Sequence, residues 1–229
     1  MDRGLYIAAS GMLAEQVRQE QIANDLANAS TPGYKSDRTA QRDFNEMLLA
    51  NSVTGQAIGG QGTAVEVDRI VTDWTPQPSR DTGEPLDFAV AGNGFFAVQT
   101  DQGVRYTRNG QFTVSPQGTL VTAGGDEVLG RNGAPIRVGA EGRVDPRRLQ
   151  VINLANPQKA GDSLVAGNPG GGGAVGQVRA GALEGSGADP ARSMVDMISS
   201  LRAFEAGQKV ITTIDETLQK ASNQVGTIS

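Results

Sequence analysis

The sequence predicts an α+β fold, with N- and C-terminal helices pairing as a coiled coil around an intervening all-β domain, hairpin-like or barrel-like. Three observations carry this. Apolar residues recur at helical spacing over residues 3–28. Seven turn dipeptides fall about six to ten residues apart between 86 and 144. Near the C-terminus, Met197, Phe204, Ile211, Leu218 and Val225 repeat every seven residues.

The first helix places Leu5, Ala8, Met12, Gln19, Ile22 and Leu26 three, four or seven residues apart, with alanines on its flanks that admit a close neighbour. Its end is marked by "ANDLANASTPGYK" at 23–35. Asn28 suits a left-handed helix terminus. Thr31-Pro32-Gly33-Tyr34 fits a type II turn, in which Pro presets φ and Gly supplies a positive φ. We expect Asn24 and Asn28 to bond backbone groups at this helix end.

Residues 36–85 read as a connecting segment: a short helix around Phe44, Met47, Leu48 and Leu49, a Gly-rich loop at 51–62, and a strand at 63–75 ended by Pro76 and Pro78. Residues 86–188 read as a β-rich outer domain. Its turn signals are Asn93-Gly94, Gln102-Gly103, Asn109-Gly110, Gln117-Gly118, Gly124-Gly125, Asn132-Gly133 and Glu141-Gly142. "RLQVINL" at 148–154 adds a strand, 166–176 forms a flexible Gly-rich loop, and "QVRAGALEGS" adds a last strand. Asp189-Pro190 then opens the final helix, Asp as cap and Pro at the first position. The seven-residue row makes this helix a coiled-coil seam. Met194 and Leu201 start its partner row, which turns polar at Gln208, Asp215 and Ser222. The inner helical domain is therefore 1–35 plus 189–229.

Composition narrows the chemistry. The chain has 229 residues, 38% hydrophobic and only 4% aromatic, with 31 Gly, so its core is lean and its loops many. A net charge of -5, without a basic stripe, argues against nucleic-acid binding. With no Cys and no His, thiol nucleophiles, Ser-His-Asp relays, cysteine zinc sites and imidazole acid-base chemistry are excluded. "GNGFFA" at 92–97 matches a relaxed G-x-G-x-x-A, but "FFAVQT" reads as strand where a dinucleotide site needs a helix. The Gly run at 170–173 lacks the Gly-Lys-Ser/Thr of a P-loop. No cofactor, metal or small-molecule substrate is expected. Glu66, Asp68 and Asp73 read as a solvated strand face, and Tyr106 and Arg108 as surface or cross-strand contacts. Arg3 followed by "GLYIAASGMLA" imitates a secretory signal, but helical spacing continues past any cleavage point, so the segment reads as retained.

"IANDLANASTPGYK", "TGEPLDFAVAGNGFFAV", "YTRNGQFTVSPQGTLVTAGGDEVLG" and "GALEGSGADPARSMVDMISSLRAFEAGQKVITTIDETLQ" together resemble the flagellar basal-body rod and hook family, in order and over nearly the whole chain. Residues 145–176 show no clear motif of it. The resemblance implies a structural subunit without enzymatic activity, placed in the periplasmic rod of the flagellar basal body. It implies end helices that pair to line a central channel, and helical polymerisation with copies of itself and other rod and hook subunits. It also implies passage through the flagellar type III export apparatus without a cleaved signal. The assembly seam would comprise Leu5, Met12, Ile22, Leu26, Met197, Leu201, Phe204, Ile211, Leu218 and Val225. The helix-stop motif would comprise Asn24, Leu26, Asn28, Pro32, Gly33 and Tyr34. "MDRGLY", "ALEGS" and "KVITTIDE" look closer to proximal-rod members, while "GQGTAVEVDRI" and "LVTAGG" are similar to distal-rod ones. A different class, a secreted cell-surface binding module, would need an exposed apolar or aromatic patch, which is hard to build with one Trp and three Tyr.

Overall fold

Helix α1 spans Asp2–Ala27 and helix α2 spans Pro190–Val225, close to the limits expected from their apolar spacing. Pro190 is the first residue of α2, where a missing N–H leaves no intrahelical bond unmade. The structure is a computed structural model and describes residues 2–50, 57–139, 141–161, 163–170, 173 and 175–225. It divides into two units. Residues 2–27, 37–50, 57–71 and 190–225 form a helical unit, and Asn28–Ser36 with Thr72–Asp189 form a β unit. The boundary thus differs from the expected one: residues 28–35, taken with the first helix, belong to the β unit.

In the helical unit, β1 (Asp37–Ala50) and β2 (Ala57–Thr72) form a two-stranded sheet. This corrects two expectations, a short helix around Phe44–Leu49 and a loop over 57–62. The spacing of Phe44, Met47 and Leu48 favours a helix locally, but pairing with a second long strand satisfies the backbone instead, and a local window cannot see that partner. Residues 51–56 of the expected loop lie outside the described residues.

In the β unit, β3 (Ser79–Asp81), β4 (Phe88–Ala91), β5 (Phe95–Thr100), β6 (Gly103–Thr107), β7 (Thr113–Val114), β8 (Leu120–Val121) and β9 (Glu127–Val128) follow the expected turn spacing. They are joined by β10 (Val151–Ile152), β11 (Leu154–Gly161), β12 (Leu164–Pro169), β13 (Gln177–Ala180) and β14 (Ala182–Glu184). The main sheet runs β11-β12-β6-β5-β9-β8-β7, with β10 also on β5; its ends do not meet, so no barrel closes. The expected flexible loop begins late, because residues 166–169 are strand, paired with β11. The expected final strand is two, β13 on β4 and β14 on β3, turned at Gly181.

Strand β5 explains where the core sits. Its Phe96 and Val98 point into a cluster with Phe88, Phe112, Leu120, Val128, Ile136 and Leu149. Its Phe95 and Ala97 point the other way, into Tyr106, Leu129 and Val165. A strand buried on both faces reads as the continuous apolar run "FFAV", not as alternation. Gly110, after Asn109, is fixed by close approach: a Cβ there would overlap the Phe88 carbonyl oxygen.

Candidate assembly interface

Within the helical unit, α1 and α2 pack antiparallel. Gly4 lies against Ile214, Met12 against Gly207, and Glu15 against Ser200. The Ser200 hydroxyl donates to the Glu15 carboxylate at 2.6 Å and to its backbone carbonyl at 3.3 Å, and Ser200 is fully buried. The inward face of α2 is Met197, Ser200, Phe204, Gly207, Ile211, Ile214 and Leu218, alternating three and four residues apart. Small residues let the helices approach: a Cβ on Gly207 would stand 2.7 Å from Met12 Cγ.

This corrects the expected partner row. Leu201 is 44% exposed and Met194 53%. Ser200, Gly207 and Ile214 occupy the positions given to them. The apolar identity of Leu201 suggested a seam that close helix packing assigns to small side chains. Met197, Phe204, Ile211 and Leu218 are half-buried on the inward face, as are Leu5, Met12, Ile22 and Leu26 on α1. The Val225 side chain lies outside the described residues. Apolar side chains are left exposed on both helices, Val195, Ile198 and Leu201 on α2 and Tyr6, Ile7 and Leu13 on α1. Gly4, Ile7, Ala8 and Gly11 of α1 and Ala203, Gly207 and Val210 of α2 line an open apolar groove.

In the β unit, the segment after α1 builds a second cluster. Tyr34 N–H donates to Thr31 C=O at 3.3 Å, and Gly33 takes φ +67°. A Cβ on Gly33 would lie 2.4 Å from the Arg108 carbonyl, so Gly is required by space as well as by φ. Asn28 Oδ1 accepts from the Thr31 hydroxyl, and Asn28 C=O accepts from Thr31 N–H and the Ser186 hydroxyl. Asn24 is exposed on α1, and Pro32 is half-buried. Tyr34 is buried, with the Lys159 ammonium 4.4 Å from its ring centre.

The turn delivers Lys35 into the interior. Its ammonium donates to Glu184 Oε1 at 2.7 Å and to Thr75 C=O at 2.6 Å. The other oxygen, Oε2, accepts from Arg108 at 3.0 Å, while Oε1 also accepts from Gln77 N–H at 2.9 Å. Arg108 also donates to the carbonyls of Val90 and Gly92 and lies over the Phe95 ring. All three charged side chains are at most 3% exposed. Burial pushes the Lys35 ammonium below its ordinary pKa, and the Glu184 charge opposes that shift. The Arg108 guanidinium is lowered for the same reason and opposed by the same carboxylate. Such a site holds segments together, one carboxylate bridging two cations brought in from separate stretches of chain.

Sequence reasoning read Arg108 and Tyr106 as surface or cross-strand contacts; both are buried, and Tyr106 pairs across strands with Ala97. It missed Lys35 and Glu184 as members of any site. The available signal was a Lys directly after the Gly-aromatic turn and a Glu within the apolar "GALEG". The Glu66 and Asp68 side chains lie outside the described residues.

Three family models match the chain: Flagella basal body rod protein over residues 5–35, Flagellar hook protein FlgE/F/G D1 domain over 89–156, and Flagellar basal body rod FlgEFG protein C-terminal over 179–224. The chain is 32% identical to the flagellar basal-body rod protein FlgG of Bacillus subtilis, covering 97% of this chain and 99% of that one. It is 31% identical to the rod protein FlgF of Caulobacter vibrioides over the full length of both. To FlgF of Salmonella typhimurium it is 32% identical, over 97% of this chain and 98% of that one.

Proposed function

The chain belongs to the flagellar basal-body rod and hook family, and from that premise we propose that it is a structural subunit of the rod, polymerising helically into the axial shaft that transmits torque and surrounds the export channel. Its helices would pair as a coiled coil lining that channel, with the β unit outside. The observation that carries this reading is the apolar side chains left exposed along both helices of the helical unit. Val195 is 63% exposed and Leu13 64%, on helices that already bury another face against each other. A helix of 36 residues is roughly 54 Å long, and apolar exposure along such a length calls for neighbours. Those neighbours would be copies of this chain and other rod and hook subunits. The protein would reach the periplasm through the flagellar type III apparatus with its N-terminus retained. No helix among the described residues is long and apolar enough to cross a membrane.

Within the rod we favour the proximal segment, on the "MDRGLY" start and the "KVITTIDE" helix, over the distal segment. Relatives named for both FlgF and FlgG stand at about the same identity, so the test is physical. Quantitative mass spectrometry of purified hook-basal bodies should find a handful of copies per particle. Several-fold more would make this the distal rod. Absence from the particle, with swimming unaffected by deletion, would overturn the rod reading.

A further inference from the structure

The last stretch of the β unit, residues 177–187, touches its beginning. Strand β13 pairs with β4 from Gln177↔Ala91 to Ala180↔Phe88, and β14 pairs with β3 from Ala182↔Asp81 to Glu184↔Ser79. Beyond the strands, Gly33 N–H donates to Glu184 C=O, Gly185 N–H to Pro78 C=O, and Gly187 N–H to Tyr34 C=O. Gly181 C=O accepts from both Thr82 and Gly83. The Glu184 carboxylate then reaches Lys35, Arg108 and Gln77 N–H together. Two hairpins of the unit are wired locally instead. The β5–β6 pair is joined by a two-residue turn and β11–β12 by a similarly short link, so their partners lie close in the chain.

We propose that residues 177–187 are a closing strap, whose late seating completes the β unit and latches the segment Asn28–Ser36 into it. The argument is one of order. A chain emerges N-terminus first, and short hairpins form in microseconds once their residues are free. Lys35 and Arg108 at that stage lack the Glu184 carboxylate that bridges them, so burying both cations is costly. Segment 28–36 therefore waits for residues about 150 positions downstream, and the edges of β3 and β4 for residues about 90 to 105 positions downstream. The strap ends three residues before α2 begins at Pro190. Closure of the β unit and growth of the C-terminal helix thus become possible together, and the chain stays unlatched until nearly all of it is present.

The test is refolding of the full chain from urea, followed by Trp74 fluorescence and by pulsed hydrogen exchange. Trp74 is a suitable probe because its ring packs edge-on to Phe95, with centroids 5.8 Å apart. Amides of β5 and β6 should gain protection first. Those of Gly33, Gly185 and Gly187 should follow in a separate, slower phase, and Trp74 should report that phase. Glu184→Gln should slow it about threefold or more and leave the β5–β6 phase unchanged. Should Glu184→Gln fail to fold, Arg179→Ala serves the same purpose. It removes only the exposed contacts that Arg179 makes with Asp81 at 3.1 Å and with the Ser79 hydroxyl at 3.4 Å, between β13 and β3, and should slow the second phase alone, by less. Protection of Gly33 and Gly187 together with β5–β6, an equal effect of the variant on both phases, or loss of the slow phase on adding a prolyl isomerase would overturn the proposal.

Discussion

The ammonium of Lys35 lies 2.7 Å from the carboxylate of Glu184, 149 residues further along the chain. The contact ties the turn that follows α1 to the strand that precedes α2. Arg108 shares the same carboxylate, so Glu184 bridges two buried cations. Removing one member of a buried pair costs about 3–5 kcal/mol, since the partner charge stays buried. Glu184→Gln leaves two such charges and should cost at least that much. Lys35→Met leaves Glu184 with Arg108 and should cost less. Urea unfolding followed at Trp74 would rank the two; the reverse order would mean that Arg108 contributes little to holding the carboxylate.

Gly33 tests the turn itself. A left-handed φ costs a β-branched residue about 1–3 kcal/mol, and the new Cβ would also meet the Arg108 carbonyl carbon and oxygen at 2.4 Å. Gly33→Val should therefore lower the melting temperature of the β unit more than Gly83→Val. Gly83 shares a positive φ, but nothing stands within 4 Å of its added Cβ. Equal losses at the two positions would show that backbone strain alone sets the requirement at Gly33.

What was legible in the sequence follows the range over which each signal acts. Turn dipeptides and helical spacing are local, so α1, α2 and the strands between Phe88 and Val128 could be placed from residue spacing alone. Strand β1 could not, because Phe44, Met47 and Leu48 mimic a helical face and the pairing that overrides them comes from β2. The phase of the α2 seam was half legible: Met197, Phe204, Ile211 and Leu218 announce themselves by being apolar. Ser200 and Gly207 do not, since a close helix contact is marked by what is missing from the side chain. The Lys35, Arg108 and Glu184 cluster was least legible. Charged residues default to solvent, and only the fold brings these three positions to one point.

Burial of Lys35 makes an alkaline prediction. Its folded pKa lies below the ordinary value of 10.5. Between those two values the unfolded chain holds the proton more tightly, so the Lys35 contribution to stability is fully present above 10.5 and lost as pH falls through the folded pKa. Tyr106 acts oppositely. Burial raises its pKa above the ordinary 10.0, so its contribution declines as pH rises through that region. The two act in opposite directions in wild type. In Lys35→Met the Lys35 effect is gone while that of Tyr106 stays, so the variant's stability should fall with rising alkaline pH more steeply than wild type's. Parallel curves would show that Lys35 titrates alike in both states.

The two faces of α2 separate folding from assembly. Ile211 faces α1, and a carboxylate placed there must lose water or part the helices; Ile211→Asp should weaken the helical unit by about 2–4 kcal/mol and reduce helical signal in far-UV circular dichroism. Gly207→Leu should act in the same direction by overpacking against Met12, at about 1–3 kcal/mol. Leu201 is exposed, so Leu201→Asp should leave the isolated chain's melting within about 0.5 kcal/mol of wild type. If the exposed face is where rod neighbours dock, Leu201→Asp should nevertheless abolish incorporation into hook-basal bodies and stop swimming, because a charge would then be buried between subunits. Normal swimming with Leu201→Asp would show that subunits meet through another surface, and the apolar groove lined by Gly4, Ala8, Gly11 and Val210 would be the next to block.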